Sequence, residues 1–127
     1  MAYMVIDNIY SEESIQQIWN KGIVVDGYSP DLYRKDFAGA WISRKEYGNT
    51  NSILGWEIDH VYPDAKGGKN HEVNLRPMNW NNNRSKGDDY PGYVAAVVAE
   101  GNKNVFMNVH KTVNSSLQKV LSEIYGI

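Results

Sequence analysis

The residues that could do chemistry lie in the middle of the chain. Asp59 and His60 end an alternating apolar–polar segment, and Asn83 and Lys86 lie three residues apart further along. Carboxylate and amide oxygens are hard ligands, which Mg²⁺ and Mn²⁺ accept while keeping positions for water and phosphate. A neutral histidine beside such an ion can take a proton from water, because its unperturbed pKa is about 6.5. The grouping therefore predicts metal-assisted hydrolysis of a phosphate ester.

Two strands and a helix are needed to bring these residues together. The pattern predicts a strand, a loop, a returning strand that Pro77 ends, and a short helix, over residues 55–60, 61–73, 74–78 and 79–86. A helix packed across this hairpin would place Asp59 and His60 opposite Asn83. Asn79 and Lys86 lie on the same helix face as Asn83, with Asn79 as the N-cap.

The flanking segments predict further elements of an α+β domain. Apolar spacing and capping residues predict an N-terminal helix, a short strand, a C-terminal hairpin and a C-terminal helix, over residues 11–21, 40–43, 94–109 and 114–125. The chain has 127 residues, which suits one domain over residues 1–127. Its four tryptophans are expected in the core.

Composition excludes several classes of protein. The chain has no cysteine, which excludes disulfides, cysteine-ligated zinc and thiol catalysis. Its net charge of −2 excludes an overall basic protein that coats DNA, but it permits a local basic patch. The longest apolar run, residues 93–99, is far shorter than the about 20 residues of a membrane span. The N-terminal residues lack the pattern of a secretion signal, so a cytoplasmic location without membrane contact is expected.

The central segment follows a spaced pattern: E-x-D-H, a proline, Gly-Gly, N-L and N-x-x-K. The residues are Glu57, Asp59, His60, Pro63, Gly67, Gly68, Asn74, Leu75, Asn83 and Lys86. This pattern resembles the HNH endonucleases, which have the ββα-metal fold, and it covers 37 of the 127 residues, from 55 to 91. The spacing from Asn74 to Asn83 is similar to that in the HNH domain of RNA-guided CRISPR nucleases. The flanks look similar to small stand-alone HNH proteins.

The resemblance implies a role for each motif residue. His60 matches the general base, and Asp59 and Asn83 match the ligands of one divalent metal ion. Asn74 matches the residue that braces the loop and so orients the base. Three neighbouring side chains are expected either to hold the metal ligands in position or to contact phosphate. They are Glu57, Arg84 and Lys86.

The implied cofactor is one Mg²⁺ ion, with Mn²⁺ as the alternative. Asn83 stands where colicin-type DNases have a histidine, which favours Mg²⁺ over Zn²⁺. Many HNH proteins also bind a structural zinc through two CxxC pairs. This chain has no cysteine, so no structural zinc is expected.

The expected function is an endonuclease that hydrolyses phosphodiester bonds of nucleic acid, with double-stranded DNA as the expected substrate. One such centre would nick one strand and leave a 5′-phosphate and a 3′-hydroxyl. The alternative is a non-catalytic nucleic-acid-binding or accessory module that retains the HNH fold. A targeting or immunity protein is a further expected type of partner, and the sequence leaves the oligomeric state open.

Other polar residues are expected to have structural or solvent-facing roles. His71 and His110 lie outside the motif, and Asn81 and Asn82 are expected to be solvated or to cap the helix. The basic side chains of Arg34, Lys35, Arg44 and Lys45 fit solvated charge pairs better than a surface that follows a phosphate backbone.

Overall fold

The computed structural model describes residues 10–127, so the segment assessed for a secretion signal lies largely outside it. Over this range the fold is mixed α+β, with three α-helices and three antiparallel two-stranded sheets. The helices are α1 (Glu12–Trp19), α2 (Trp80–Lys86) and α3 (Ser115–Tyr125). The strands are β1 (Tyr33–Lys35), β2 (Trp41–Ser43), β3 (Trp56–His60), β4 (Leu75–Asn79), β5 (Gly92–Glu100) and β6 (Lys103–Thr112).

The central unit is the β3–β4 hairpin followed directly by α2. The side chain of Asn79 accepts a hydrogen bond from the Asn81 backbone N–H at 2.9 Å, so Asn79 is the helix N-cap, as predicted. The prediction that Pro77 ends the strand is wrong, because Pro77 lies within β4 opposite Ile58. Val61 N–H donates to the Asn74 carbonyl, and hydrogen-bonded and non-hydrogen-bonded residue pairs alternate along the hairpin from that pair. The pair of Ile58 and Pro77 therefore falls at a non-hydrogen-bonded position. The missing N–H of Pro77 therefore costs no bond between the strands.

This hairpin is packed on both faces. One face lies against α1, in a buried cluster of Ile15, Ile18, Trp19, Ile42, Trp56 and Leu75. The other face belongs to a second cluster, which contains Val61, Met78, Tyr93, Ala95, Val113 and Leu121. Burial on both sides fixes the register of β3, because a slip of one residue would turn its polar side chains into an apolar core.

The flanking elements agree with the sequence in type and differ in extent. Helix α1 begins after Ser11, whose hydroxyl accepts from Ser14 N–H at 3.1 Å. Helix α3 begins after Asn114, whose side chain accepts from Leu117 N–H at 2.8 Å. The β5–β6 hairpin extends beyond both predicted strands, and β1 was not predicted. No helix of the described residues is long and apolar enough to cross a membrane.

Of the four tryptophans, Trp19, Trp41 and Trp56 are buried, as predicted. The expectation that Asn82 is solvated is wrong, because its side chain is fully buried. Asn82 Oδ1 accepts from the backbone N–H groups of Ala96 at 2.8 Å and Val97 at 2.9 Å. A buried amide needs such partners, and these bonds tie α2 to β5.

Asp36 joins the turn between β1 and β2 to the start of α2. Its buried carboxylate accepts from the backbone N–H groups of Ala38 and Ala40 through Oδ1, at 3.0 and 2.8 Å. Its Oδ2 accepts from Asn79 N–H at 3.0 Å and from the Asn82 amide at 3.2 Å. Four donors on one carboxylate fix the position of α2 relative to the preceding sheet.

Candidate functional site

The candidate site lies between β3 and α2. Glu57 and Asp59 are two residues apart in β3 and so lie on one face of the strand, about 7 Å apart at their Cα atoms. The facing residues of α2 pair with them. Asn83 Nδ2 donates to Glu57 Oε1 at 3.2 Å, and Lys86 Nζ lies 3.2 Å from Asp59 Oδ1. The helix therefore packs across the hairpin, as the sequence predicts. The expectation that Asn83 would face Asp59 and His60 is corrected, because Asn83 pairs with Glu57 and Asp59 pairs with Lys86.

Asp59 is almost completely enclosed, with its side chain 3% exposed. Its Oδ2 lies 3.1 Å from Arg76 Nε, and its Oδ1 contacts Lys86. Arg76 lies directly opposite Asp59 in the register of β3 and β4. Both carboxylate oxygens therefore already have a cationic partner, and the Asn83 amide contacts Glu57. The two predicted metal ligands, Asp59 and Asn83, each have a different protein partner in this structure.

Lys86 supports the site from inside. Its side chain is fully buried, and Nζ also donates to the His60 backbone carbonyl at 3.1 Å. Burial lowers the pKa of Lys86, while the neighbouring charge of Asp59 acts in the opposite direction. Of its two predicted roles, contact with a substrate phosphate is wrong for this arrangement, because the ammonium group does not reach solvent. Lys86 instead holds Asp59 and the end of β3.

Arg84 is the exposed cation of the site. Its side chain is 60% exposed, and Nη2 lies 3.0 Å from Glu57 Oε2. The Glu57 carboxylate is thus shared between Arg84 and Asn83. An exposed ion pair of this kind is weak, so a phosphate can compete for the guanidinium group. Arg84 therefore fits the predicted phosphate contact, and Glu57 fits support of Asn83.

His60 ends β3 and is half-buried. Its Nε2 lies 2.7 Å from Asn70 Oδ1, and the Tyr10 hydroxyl lies 3.4 Å from the same oxygen. Asn70 is not among the residues that the sequence motif predicts for the site. The only signal was its place in the loop, four residues before Asn74, which is too weak to identify a contact with His60.

Asn74 braces the loop between β3 and β4, in the way that the resemblance implies. It is fully buried, and its Oδ1 accepts from Tyr62 N–H at 2.7 Å. Its Nδ2 donates to the carbonyls of Tyr62 at 3.1 Å and Lys69 at 3.0 Å. Gly68 is the other constraint, since a Cβ there would lie 1.8 Å from the Tyr62 carbonyl oxygen. The effect of Asn74 on catalysis stays a prediction.

A depression of about 310 Å³ opens over Glu57 and Asn83 and is also lined by Tyr10, Tyr47, Gly48 and Ile58. Burial raises the pKa of Tyr10, and it raises that of Tyr47 together with the charge of Glu57. Both phenols therefore stay protonated at neutral pH and can donate hydrogen bonds. A larger groove of about 470 Å³ is lined mainly by apolar side chains of α3 and the loop before β4, and it includes neither Glu57 nor Asn83.

Two residues of this depression, Glu57 and Asn83, carry oxygen atoms of the kind that bind hard divalent ions. Among residues 10–127, no group of three or more His, Cys, Asp or Glu side chains could hold a metal. Mg²⁺ needs only one or two protein carboxylates, because it keeps several waters and takes substrate phosphate. The hydrogen bond to Glu57 uses the Asn83 nitrogen and leaves the amide oxygen as an available ligand. Glu57 and Asn83 thus bring hard oxygen atoms to the depression, whereas both oxygens of Asp59 are paired with Arg76 and Lys86.

The remaining basic and histidine residues have structural or surface positions. Arg34 donates to the carbonyls of Asn20 and Pro30, and Arg44 donates to Gln16 Oε1. His71 packs against Tyr125, and His110 is exposed on β6. Arg34 and Arg44 are therefore half-buried and bonded to polar groups of the protein, which corrects the expectation that they form solvated charge pairs, whereas His71 and His110 lie outside the candidate site, as predicted.

Comparison of the chain with family models, with curated proteins and with solved structures gives no match. The function of this chain must therefore be inferred from its own residues and their geometry.

Proposed function

We propose that this protein is a metal-dependent endonuclease of the HNH type, with β3, β4 and α2 as its ββα-metal core. One observation carries the proposal. His60 directly follows Asp59 at the end of β3, and the hairpin and its packed helix bring the oxygen-bearing side chains of Glu57, Asp59 and Asn83 to one region. General base, ligand set and exposed cation are the parts that phosphodiester hydrolysis requires.

In this proposal His60 takes a proton from a water molecule. That water attacks phosphorus, and the bond from phosphorus to the 3′ oxygen breaks, which leaves a 5′-phosphate and a 3′-hydroxyl. Asp59 and Asn83 would hold the Mg²⁺ ion, with Glu57 beside them. When bound, the ion supplies positive charge that stabilises the phosphate in the transition state. Arg84 binds a neighbouring phosphate oxygen.

Nucleic acid is the proposed substrate, with DNA preferred to RNA on the strength of the motif resemblance. A net charge of −2 makes long-range attraction to a polyanion weak, so local cations such as Arg84 must supply the phosphate contacts. Residues 10–127 contain one such site, which supports nicking of a single strand as the basic reaction.

The second candidate is a non-catalytic nucleic-acid-binding or accessory module. The state of Asp59 favours it, because Lys86 and Arg76 already neutralise this carboxylate. A metal ion at Asp59 must compete with these two cations, whereas a structural domain needs no such exchange.

Cleavage of supercoiled plasmid separates the two candidates. The purified protein is incubated with plasmid and Mg²⁺ or Mn²⁺, with EDTA as a control and an RNA substrate in parallel. We expect metal-dependent nicking that falls about 10²- to 10⁴-fold in His60→Ala, the range that loss of a general base produces. His110→Ala is the matched control and should nick normally, because His110 is exposed on β6.

Calorimetric titration with Mg²⁺ and Mn²⁺ completes the test. A folded wild-type protein that neither nicks plasmid nor binds either ion would overturn the endonuclease proposal and favour the accessory module. Equal nicking by wild type and His60→Ala would overturn the assignment of the base.

A further inference from the structure

We propose that Asn70 is the positioning residue for His60, and that it fixes the neutral imidazole with the proton on Nε2 and the lone pair on Nδ1. The inference rests on the proposed nuclease function, because it names the atom of His60 that would act as the base. Asn70, and not the motif residue Asn74, makes the direct contact with the His60 ring.

The hydrogen-bond geometry sets the tautomer. His60 Nε2 lies 2.7 Å from Asn70 Oδ1, and an amide oxygen can only accept. Nε2 must therefore carry the proton, which leaves Nδ1 unprotonated in the neutral ring. The Tyr10 hydroxyl also approaches Asn70 Oδ1, at 3.4 Å.

Asn70 is well placed to hold this orientation. It is 8% exposed, so water competes little for its amide oxygen. Both backbone polar groups of the neighbouring Lys69 are hydrogen-bonded. Its carbonyl accepts from Asn74 Nδ2 at 3.0 Å, and its N–H donates to the Tyr125 hydroxyl at 2.9 Å. Asn74 therefore acts on His60 indirectly, through the loop that carries Asn70.

Nitrogen-15 NMR of the imidazole tests the tautomer directly. For the neutral ring of the wild-type protein we expect a pyrrole-type Nε2, a pyridine-type Nδ1 and an Nε2 proton that exchanges slowly. Asn70→Ala should expose this proton to rapid exchange and give a mixture of tautomers. Asn70→Asp keeps an acceptor oxygen at the same position and should retain the wild-type pattern. Asn102→Ala, in the exposed β5–β6 turn, is the matched control.

Kinetics supply the second readout. We expect Asn70→Ala to lower kcat for plasmid nicking about 10- to 100-fold with little change in KM, because a misaligned base slows the chemical step and leaves binding intact. Asn70→Asp should recover most of that loss, and Asn102→Ala should match wild type.

Two results would overturn the inference. One is a wild-type ring protonated on Nδ1, which would mean that the Asn70 amide donates to Nε2. The other is an Asn70→Ala protein with an unchanged His60 spectrum. Neither result depends on cleavage. If wild type nicks no DNA but shows the expected tautomer and its loss in Asn70→Ala, the positioning role stands and the nuclease proposal fails alone.

Discussion

At the scale of single residues, Asp59 and Glu57 show that two carboxylates on one strand face can have different energetic roles. Asp59 is buried between Lys86 and Arg76, whereas Glu57 is partly exposed and pairs with the exposed Arg84. Removing one member of a buried ionic cluster leaves its partners buried without compensation, which costs about 3–5 kcal/mol. An exposed pair is worth less than about 1 kcal/mol.

We therefore expect Asp59→Ala to lower the free energy of unfolding by about 3–5 kcal/mol, and Glu57→Ala by less than about 1 kcal/mol. Urea denaturation followed by circular dichroism measures both. Adding Lys86→Met to Asp59→Ala should restore part of the loss, because it removes one uncompensated buried charge. Similar small losses in both single variants would contradict the buried ionic cluster. Because Asp59→Ala is expected to destabilise the fold, a loss of activity in this variant alone does not identify Asp59 as a metal ligand.

Residue spacing predicted which elements meet but not which of their side chains pair, because Asn83 pairs with Glu57 and Asp59 pairs with Lys86. The short segments around His60, Asn74 and Asn83 were enough to predict a hairpin with a helix packed across it. The burial of Lys86 was not predictable in this way, because it depends on how α2 packs between the β3–β4 hairpin and β5. The contact of Asn70 with His60 depends on the path of an irregular loop. Such a loop has no regular spacing of apolar residues from which its path could be predicted.

At the scale of elements, the loop between β3 and β4 holds its shape because Gly68 lets two backbone segments approach closely. A Cβ at Gly68 would lie 1.8 Å from the Tyr62 carbonyl oxygen, so the loop must move to accept one. The same carbonyl accepts from Asn74 Nδ2, and movement would disturb the contacts that hold Asn70.

Gly68→Ala should therefore lower kcat for nicking about 10-fold or more, since small displacements of catalytic groups have large effects on rate. It should also displace the NMR signals of His60. Gly92→Ala is the control, because the nearest atom to a Cβ there is the Lys111 carbonyl oxygen at 3.9 Å. Equal activity in the two variants would show that the loop tolerates the movement.

The contacts of the Asp36 carboxylate lead to a separate prediction about how α2 is attached to the turn between β1 and β2. Each of its oxygens accepts from two donors. In Asp36→Asn the amide nitrogen must face two of these donors, and each unsatisfied buried group costs about 1–3 kcal/mol. We expect thermal unfolding to show a loss of at least about 2 kcal/mol. Asp31→Asn, at an exposed position, should have little effect, and an equally stable Asp36→Asn would exclude this role.

Elements with a clear period were predicted well, and those defined by distant contacts were not. Alternation identified β3, and capping residues identified α1, α2 and α3. Strand β1 was missed because its three residues are polar or aromatic and its pairing with β2 supplies the structure. Asn82 was misjudged because its partners lie on β5, 14 and 15 residues away.

At the scale of the whole molecule, tyrosine burial links stability to pH. Burial raises the pKa of five phenols, which belong to Tyr10, Tyr47, Tyr90, Tyr93 and Tyr125. These groups hold their protons more tightly in the folded chain than in the unfolded chain. Their contribution to stability is therefore complete below the unfolded pKa of about 10, and it is lost as the pH rises through the folded values.

We expect an alkaline titration to show cooperative unfolding above about pH 10, with phenolate absorbance appearing together with the loss of circular dichroism. Tyr93→Phe should weaken this dependence, because Tyr93 is almost fully buried and Arg76 only partly offsets the effect of its burial on the pKa. Tyr28→Phe, at an exposed position, is the matched control. If phenolate forms while the circular dichroism is unchanged, these tyrosines ionise in the folded protein, and their burial does not couple proton release to unfolding.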